Sequence, residues 1–355
     1  MDHTVSTGLS RETADRKTDA EDISRLSLGE LTQFFLEDPE IGSNASDSGL
    51  RINPFTGLPV VFSSNRASRP ETYSRKTGCP ICEGNITGII DKFELSSGGF
   101  GFINKNLYPI LMPRTGTEGA RGFHFLLWPS NLHSKRFETM DIEDAVLNLY
   151  RTACLEKLLE EGGSPDFPET ANSRHGYFMF IKNYGNRVGG SIEHDHFQAL
   201  YSNTEPLAYK HDREYYNKTQ VPVSRFYIQN TPAELVVYES KYWAVLVPQF
   251  IKRPGELIIT SRNEAYSSFF QLPQKALQEM AEIMRSCFKN GYKLFQQSEE
   301  TAFNLIFHTH PFTGIYAEFL PYIQPLGGFE RLGFYVCQQT PEEAAEQYRE
   351  KVFTD

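Results

Sequence analysis

Two histidines lie two residues apart in the segment Gly189 to Gln198, which reads GGSIEHDHFQ. Side chains alternate along an extended segment, so His194 and His196 are expected on the same side of it. One imidazole could then bind a metal ion while the other attacks a phosphorus atom, and the glycines would let backbone amides approach an anion. The same spacing also occurs as an incidental pair in a solvated loop, so the motif alone leaves both interpretations open.

A second group of chemically capable residues is the CPIC sequence, in which Cys79 and Cys82 have the spacing of a zinc knuckle. Two further ligands, such as His133 and His194, would complete a tetrahedral Cys2His2 site. A redox dithiol or two buried free thiols would give the same spacing. The chain has five cysteines, and only this pair is close in sequence. That pattern favours metal binding or redox chemistry over a disulfide framework.

The charge is concentrated at the amino end of the chain. The net charge is −10 over 355 residues, and residues 1–50 contain eleven acidic and four basic residues. The remainder is close to neutral, which argues against a nucleic-acid-binding surface. No apolar run approaches the roughly 20 residues that cross a bilayer, and no apolar segment follows the charges of the first residues. We therefore expect no membrane span, no secretory signal and a cytoplasmic location.

The elements that must position these groups begin after a polar amino-terminal region. Residues 1–25 show no hydrophobic period, and Ser27 with Glu30 forms a capping box ahead of an apolar stripe. Residues 1–48 are therefore predicted to be a mobile tail with one short helix.

From about Arg51 onward the pattern alternates between strand and helix character, which predicts an α+β protein. Helices are predicted at about 141–160, 273–296 and 341–351, the last with Thr340 as its N-cap. Strands are predicted at about 59–63, 123–128, 177–182, 197–201, 234–239, 243–248, 256–261, 303–307, 317–323 and 333–338.

A faint internal repeat relates the two halves. The sequence YPILMPRTGTEGARGFHFLLWPS, from Tyr108, can be laid beside YWAVLVPQFIKRPGELIITSR, from Tyr242, and each copy continues into a long helix and another strand. The alternative is chance similarity between two α+β modules. A true repeat would give duplicated domains at 49–220 and 221–355, of which only the first keeps the histidine pair.

Several motifs, in order along the chain, resemble those of the galactose-1-phosphate uridylyltransferase family, in the histidine triad superfamily. The resemblance extends with gaps from about Arg51 to Lys351. Its motifs are RINPFTG from Arg51, SSNRASRP from Ser63, the CPIC knuckle, FINKNLYPIL from Phe102, SNLHS from Ser130, the segment from Asn183 through Ser191 to Gln198, GGFE from Gly327 and PEEAA from Pro341. The implied fold is a pair of histidine-triad-like domains, each an antiparallel sheet with flanking helices.

The resemblance implies a two-step double displacement through a covalent intermediate. His196 would attack the α-phosphorus of a nucleotide sugar, expel a sugar 1-phosphate and become a nucleotidyl-histidine, from which an acceptor phosphate takes the nucleotide. Gln198 and Ser191 would donate hydrogen bonds to the phosphoryl oxygens. By the same resemblance, Asn183 is a further donor, Asn106 lies near the ribose, and Arg66 and Arg69 face the distal phosphates. The zinc, one per chain, would be structural, with Cys79, Cys82, His133 and His194 as ligands.

The sequence also departs from the family. The usual histidine-proline-histidine-glycine-glutamine motif is His194-Asp-His-Phe-Gln198 here, a form similar to that of some nucleotide-sugar phosphorylases, which use inorganic phosphate as acceptor. We therefore expect substrate specificity to differ from the family at Asp195, at Phe197 and at the altered site in the second half of the chain. Gly314 and Tyr316 stand where the family has second-half metal ligands, although His308 remains, so a second metal is not expected.

Three functions follow as hypotheses. The first is a nucleotidyltransferase moving a nucleoside monophosphate, UMP by analogy, between a nucleotide sugar and a sugar 1-phosphate. The second is a nucleoside-diphosphate-hexose phosphorylase with the same covalent step, and the third is a nucleotide-binding protein that has lost catalysis. A homodimer is expected from the family, and neither a nucleic-acid nor a membrane partner is expected.

Overall fold

The protein is described here by a computed structural model that covers residues 8–44, 49–68, 78–113, 121–162, 176–291, 294 and 302–354. The chain divides into two units. The first comprises Met1–Phe180 with Ser191–His211, and the second comprises Ile181–Gly190 with Asp212–Asp355.

The first unit contains an antiparallel sheet that carries the histidine motif. Its helices are α1 Arg11–Arg16, α2 Leu28–Leu36, α3 Pro39–Asn44, α4 Ile142–Glu161 and the start of α5 Leu207–Thr219. Its strands are β1 Leu50–Ile52, β2 Pro59–Val61, β3 Ile89–Glu94, β4 Phe100–Lys105, β5 Gly122–Trp128, the start of β6 Tyr177–Tyr184 and β7 Phe197–Ser202. The strand order is β3-β4-β5-β7-β6, and β1 with β2 forms a separate hairpin.

Register in this sheet places the chemically capable residues on one face. On β7, Gln198 lies opposite Leu126 of β5, and Leu200 lies opposite His124. Every residue of β4 is buried, as expected for a strand covered on both faces. The core beneath the motif includes Ile81, Phe102 and Trp128.

The second unit repeats the combination of helices with an antiparallel sheet. It contains α6 Val223–Asn230, β8 Val236–Glu239, β9 Trp243–Leu246, β10 Leu257–Ser261, α7 Gln274–Ser286, β11 Phe303–His310, β12 Gly314–Pro321, α8 Gly328–Arg331 and α9 Pro341–Lys351. Its strand order is β8-β9-β10-β12-β11, with antiparallel pairing in each of the four neighbouring pairs. The predicted α+β class is confirmed.

Two helix starts follow the sequence prediction because their signals are local. The Ser27 hydroxyl accepts from the backbone of Glu30 at the start of α2, and the Glu30 carboxylate accepts in return from Ser27. Thr340 and Glu343 form the same capping box at the start of α9.

The prediction of a mobile tail needs correction for residues 8–25, which are packed within the first unit. Leu9, Ala14 and Ile23 are fully buried, and the Leu9 amide donates to the Asn131 carbonyl at 2.9 Å. The segment holds only α1 and a single 3-10 turn at Ile23–Arg25, and its three buried apolar residues are five and nine residues apart, a spacing that fits neither a helical nor a strand period. Residues 1–7 and 45–48 lie outside the described residues.

One further prediction at the carboxyl end needs correction. Residues 333–338 are not a strand, because Gly333 turns the chain with a φ of +87° and the residues after it lack ladder pairing. The helix predicted at 273–296 is present as α7 and continues as a π-helical turn at Cys287–Gly291, and residues 292, 293, 295 and 296 lie outside the described residues. In the described part of the chain, the helices are all too short or too polar to cross a membrane.

Candidate active site and metal centre

Four ligand atoms of the first unit converge beside the sheet. Cys79 and Cys82 lie on the turn before β3, His133 follows β5, and His194 precedes β7. Their sulfur and nitrogen atoms all lie within 4.8 Å of one another. The Cys82 sulfur is 3.6 Å from His133 Nδ1 and 3.7 Å from His194 Nδ1, and the Cys79 sulfur is 3.7 Å from His194 Nδ1.

This geometry fits a tetrahedral metal. A zinc ion with Zn–S bonds of about 2.3 Å and Zn–N bonds of about 2.0–2.1 Å would separate sulfur from nitrogen by about 3.6 Å. The other ring nitrogen of His194, Nε2, lies 2.9 Å from the Ser130 carbonyl. Nε2–H donates a hydrogen bond to that carbonyl, so the ring proton is on Nε2 and the Nδ1 lone pair is directed at the cluster.

The protonation states of His194 and Cys82 also bear on metal binding. Burial lowers the pKa of His194 to about 4, so its imidazole is neutral and able to act as a ligand. Burial, together with the neighbouring Cys79 thiol, raises the pKa of Cys82 to about 12. A bound metal would supply the positive charge that two adjacent thiolates need.

His196 lies beside this centre with a defined tautomer. Its Nδ1 is 2.8 Å from the carbonyl oxygen of His194, and the ring centroid is 4.9 Å from that of Trp128. Because a carbonyl can only accept, Nδ1 carries the ring proton and Nε2 keeps its lone pair. The side chain is 6% exposed and lines a pocket of about 610 Å³, including its solvent-open mouth. A neutral imidazole that carries its lone pair on Nε2 is the form that a nucleophile requires.

The same pocket contains three of the other six predicted catalytic and substrate-binding residues. Ser191, Gln198 and Asn106 line it together with His196, and Tyr108 forms part of its wall. Arg66 does not line the pocket itself, but its Nη1 donates to the carbonyl of the wall residue Tyr108 at 2.6 Å. Arg69 lies outside the described residues. Asn183 belongs to the second unit, where its Oδ1 accepts from Asn304 Nδ2 at 2.7 Å.

One residue of the site was missed by sequence reasoning. His124 is 1% exposed, and its Nε2 lies 3.0 Å from Gln198 Oε1 and 3.1 Å from Asn106 Nδ2. The available signal was a single histidine within the otherwise apolar strand sequence FHFLLW. A buried polar side chain in such a strand needs partners, and here the partners are two pocket residues.

Asp195 and Phe197, the positions where substrate specificity is expected to differ from the family, do not line this pocket. The Asp195 carboxylate accepts from the Phe137 amide at 3.0 Å, and the Phe197 ring packs against Phe137 and Phe180. The reason is alternation: Phe197 lies between His196 and Gln198, and Asp195 lies one residue before His196, so both face away from the pocket that contains His196 and Gln198.

In the second unit, the residues at the expected metal-ligand positions form a buried polar cluster. His308 Nε2 lies 2.9 Å from Glu318 Oε1, and the His308 ring stacks on Tyr316 with centroids 4.2 Å apart. The Tyr316 hydroxyl donates to Asp212 at 2.8 Å. Gly314 turns the chain between β11 and β12 with a φ of +66°.

Comparison with known proteins agrees with these motifs. No family model matches the chain. A galactose-1-phosphate uridylyltransferase of Thermotoga maritima is 24% identical over 329 residues, which cover 85% of this chain and 98% of that protein. The resemblance to the galactose-1-phosphate uridylyltransferase family is thereby confirmed. An ADP-glucose phosphorylase of Arabidopsis thaliana is 23% identical over 347 residues, covering 86% of this chain and 93% of its own.

Solved structures of this family share the fold. A structure of uridylyltransferase aligns with a TM-score of 0.66 at 18% identity, covering 85% of this chain and 97% of its own. An ADP-glucose phosphorylase from Arabidopsis thaliana, solved with bound ADP-glucose, aligns with a TM-score of 0.62 at 21% identity. The alignment covers 86% of this chain and 99% of that chain.

Proposed function

We propose that this protein transfers a nucleoside monophosphate, UMP by analogy, between a nucleotide sugar and a sugar 1-phosphate through a covalent nucleotidyl-His196. The observation that carries the proposal is the hydrogen bond from His196 Nδ1 to the His194 carbonyl, in a ring that also lines the pocket. In the neutral ring, this bond places the proton on Nδ1 and the lone pair on Nε2, so the attack needs no separate general base.

The reaction balances in two displacements. Nε2 of His196 attacks the α-phosphorus, an N–P bond forms, and the P–O bond to the sugar 1-phosphate breaks. A phosphate oxygen of the acceptor then attacks the same phosphorus, the N–P bond breaks, and the neutral imidazole is restored. Charge moves among the phosphate oxygens in both steps, so hydrogen-bond donors around them supply much of the rate.

The pocket residues have corresponding roles. Ser191 and Gln198 are proposed donors to the phosphoryl oxygens, and Asn106 is proposed to contact the ribose. Arg66 is proposed to act near the distal phosphates, since its wall contact at Tyr108 is close to the pocket. Arg69 and Asn183 retain from the family resemblance their proposed roles in phosphate binding.

We propose that the metal is zinc and that its role is structural. Four protein ligands would complete a tetrahedral site without an open position for water or substrate, so the ion would supply rigidity and charge rather than a reacting group. The ligand residue His194 also bonds the nucleophile through its backbone, so an ordered centre would hold His196 in place.

A phosphorylase is the second candidate, because one relative is an ADP-glucose phosphorylase and the motif has phenylalanine before glutamine. Both candidates share the first displacement and differ in the acceptor. Single-turnover adduct formed from radiolabelled nucleotide sugar and chased with sugar 1-phosphate or with inorganic phosphate separates them. Faster release with sugar 1-phosphate supports the transferase, and faster release with phosphate supports the phosphorylase.

The covalent step is tested by intact mass after incubation with UDP-, GDP-, ADP- and CDP-sugars and an alkaline quench. A gain of one nucleoside monophosphate identifies the base. The gain should disappear in His196→Ala and persist in His211→Ala, a matched change at an exposed histidine. An adduct retained in His196→Ala would remove His196 as the nucleophile, and no wild-type adduct with the panel would favour a nucleotide-binding protein without catalysis.

We further propose that the two units are duplicated domains. In both units a long helix and a strand follow the third strand of the sheet, and the strand after them inserts beside that third strand, as the orders β3-β4-β5-β7-β6 and β8-β9-β10-β12-β11 show. This shared order supports the faint repeat. A homodimer is also proposed from the family, and sedimentation equilibrium tests it.

A further inference from the structure

His124 and Gln198 face each other across two neighbouring strands. Gln198 of β7 is opposite Leu126 of β5, so His124, two residues earlier on β5, is its diagonal neighbour on the same face. His124 is 1% exposed and Gln198 is 9% exposed, and their side chains are joined at 3.0 Å between Nε2 and Oε1. Only Gln198 lines the pocket.

A backbone amide determines the tautomer of His124. The amide of Ile110 donates to His124 Nδ1 at 3.1 Å. A backbone N–H is always a donor, so Nδ1 must present its lone pair, and the single proton of the neutral ring lies on Nε2. His124 is thus a donor at the position that faces Gln198.

The tautomer in turn determines the orientation of the Gln198 carboxamide. With a proton on Nε2, His124 can bond the carboxamide only through its oxygen, and the opposite orientation would bring two donors together. Asn106 cannot take this proton, because its Oδ1 already accepts from the Tyr108 amide at 2.8 Å and it turns Nδ2 toward the ring. Of the two side chains near Nε2, Gln198 presents an oxygen and Asn106 a nitrogen, so Gln198 is the acceptor for the His124 proton, and the Asn106 nitrogen at 3.1 Å is a close neighbour rather than an acceptor.

We propose that His124 is a positioning residue, which holds the carboxamide of Gln198 by its oxygen and thereby leaves the amino group as the donor to the phosphoryl oxygens. This inference rests on the proposed function for its catalytic consequence. The tautomer of His124 and the orientation of the Gln198 carboxamide are properties of the free protein, so they do not depend on the proposed function.

Two matched substitutions separate positioning from loop anchoring. His124→Gln can keep a donor near the Nε2 position and loses the acceptor for Ile110, whereas His124→Asn can keep that acceptor and loses the donor. We expect the adduct of His196 to form about tenfold more slowly in the Asn variant than in the Gln variant at saturating nucleotide sugar, with similar KM. In a Gln198→Ala background the two variants should have equal rates, because the group that His124 positions is gone.

The free protein gives a measurement independent of turnover. Long-range ¹H–¹⁵N spectra of protein labelled at histidine, with the His124 signal assigned by its loss in His124→Asn, should show the Nε2-protonated tautomer at neutral pH. The Nδ1-protonated form, or an Asn variant as fast as the Gln variant, would overturn the inference. If wild type forms no adduct, the proposed function fails by that result, and the tautomer alone then decides the inference.

Discussion

The Nδ1 atom of His196 lies 2.8 Å from the backbone carbonyl oxygen of His194, a residue whose own Nδ1 belongs to the Cys2His2 cluster. The proposed metal ligand and the proposed nucleophile are therefore connected by one short piece of backbone. Ordering of the cluster and the tautomer of the nucleophile should change together.

Loss of a metal ligand is the first prediction. Cys82→Ser should lower metal content, lower the melting temperature and slow adduct formation, because His194 would no longer be held. With zinc at 100 to 1,000 times its Kd, bound metal contributes about 3 to 4 kcal/mol to the free energy of unfolding. Cys337→Ser, at a cysteine outside the cluster, is the control. Metal analysis with thermal unfolding checks this, and equal metal content in both variants would contradict it.

The amino-terminal segment supports the site, and Leu9 tests this. Leu9 is 1% exposed and packs in the same hydrophobic cluster as Ile81 of the CPIC knuckle and Trp128. Leu9→Ala should cost about 2–5 kcal/mol in the free energy of unfolding. Zinc release to a chelator should also be faster. The control is Arg11→Ala, which removes an exposed ion pair with Glu94 and should change neither the free energy of unfolding nor the rate of zinc release. Equal effects of the two substitutions would argue against a packing role for Leu9.

Phe197 should affect stability rather than substrate choice. Its ring stacks on Phe180 with centroids 5.0 Å apart and meets Phe137 edge-on. Phe197→Ala should therefore cost about 3–5 kcal/mol in the free energy of unfolding. The order of preference among nucleotide sugars should remain. Denaturant unfolding and the adduct panel check the two parts, and a new preferred base with unchanged stability would refute the prediction.

The buried carboxyl group of Glu256 should make the stability of the protein depend on pH. Burial raises the pKa of its carboxyl group above the usual 4.5, and Glu318 adds to this, while Lys252 and Arg253 oppose it. A carboxyl with a raised folded-state pKa binds protons more tightly in the folded state, so it destabilises the protein increasingly as pH rises from the unfolded-state pKa through the folded-state pKa.

Glu256→Gln removes that charge, and its Oε1 can still accept from the Lys252 amide, which now lies 2.8 Å from Glu256 Oε2. The melting temperature of the variant should exceed that of wild type at pH 8, and the difference should shrink toward pH 4. A difference that grows on acidification would reverse the assigned direction. Scanning calorimetry across this pH range makes the comparison.

Local signals in the sequence were sufficient for much of the framework. The capping boxes at Ser27 and Thr340 form as predicted, because a cap involves residues three apart. Alternation along an extended segment predicted His194 and His196 on the same side, and both rings pack against Trp128. The same alternation, applied one step further, would have turned Asp195 and Phe197 to the core, where the structure places them.

Long-range contacts decided what the local patterns left open. His124 meets Gln198 across 74 residues of chain, and its proton position depends on the amide of Ile110, so neither residue type nor spacing could indicate the pair. The docking of residues 8–25 depends on three buried side chains that are five and nine residues apart, a spacing that gives no helical or strand period to detect. Residue order thus determined the reactive groups and their local geometry, whereas hydrogen-bond complementarity and burial between distant segments determined which groups orient one another.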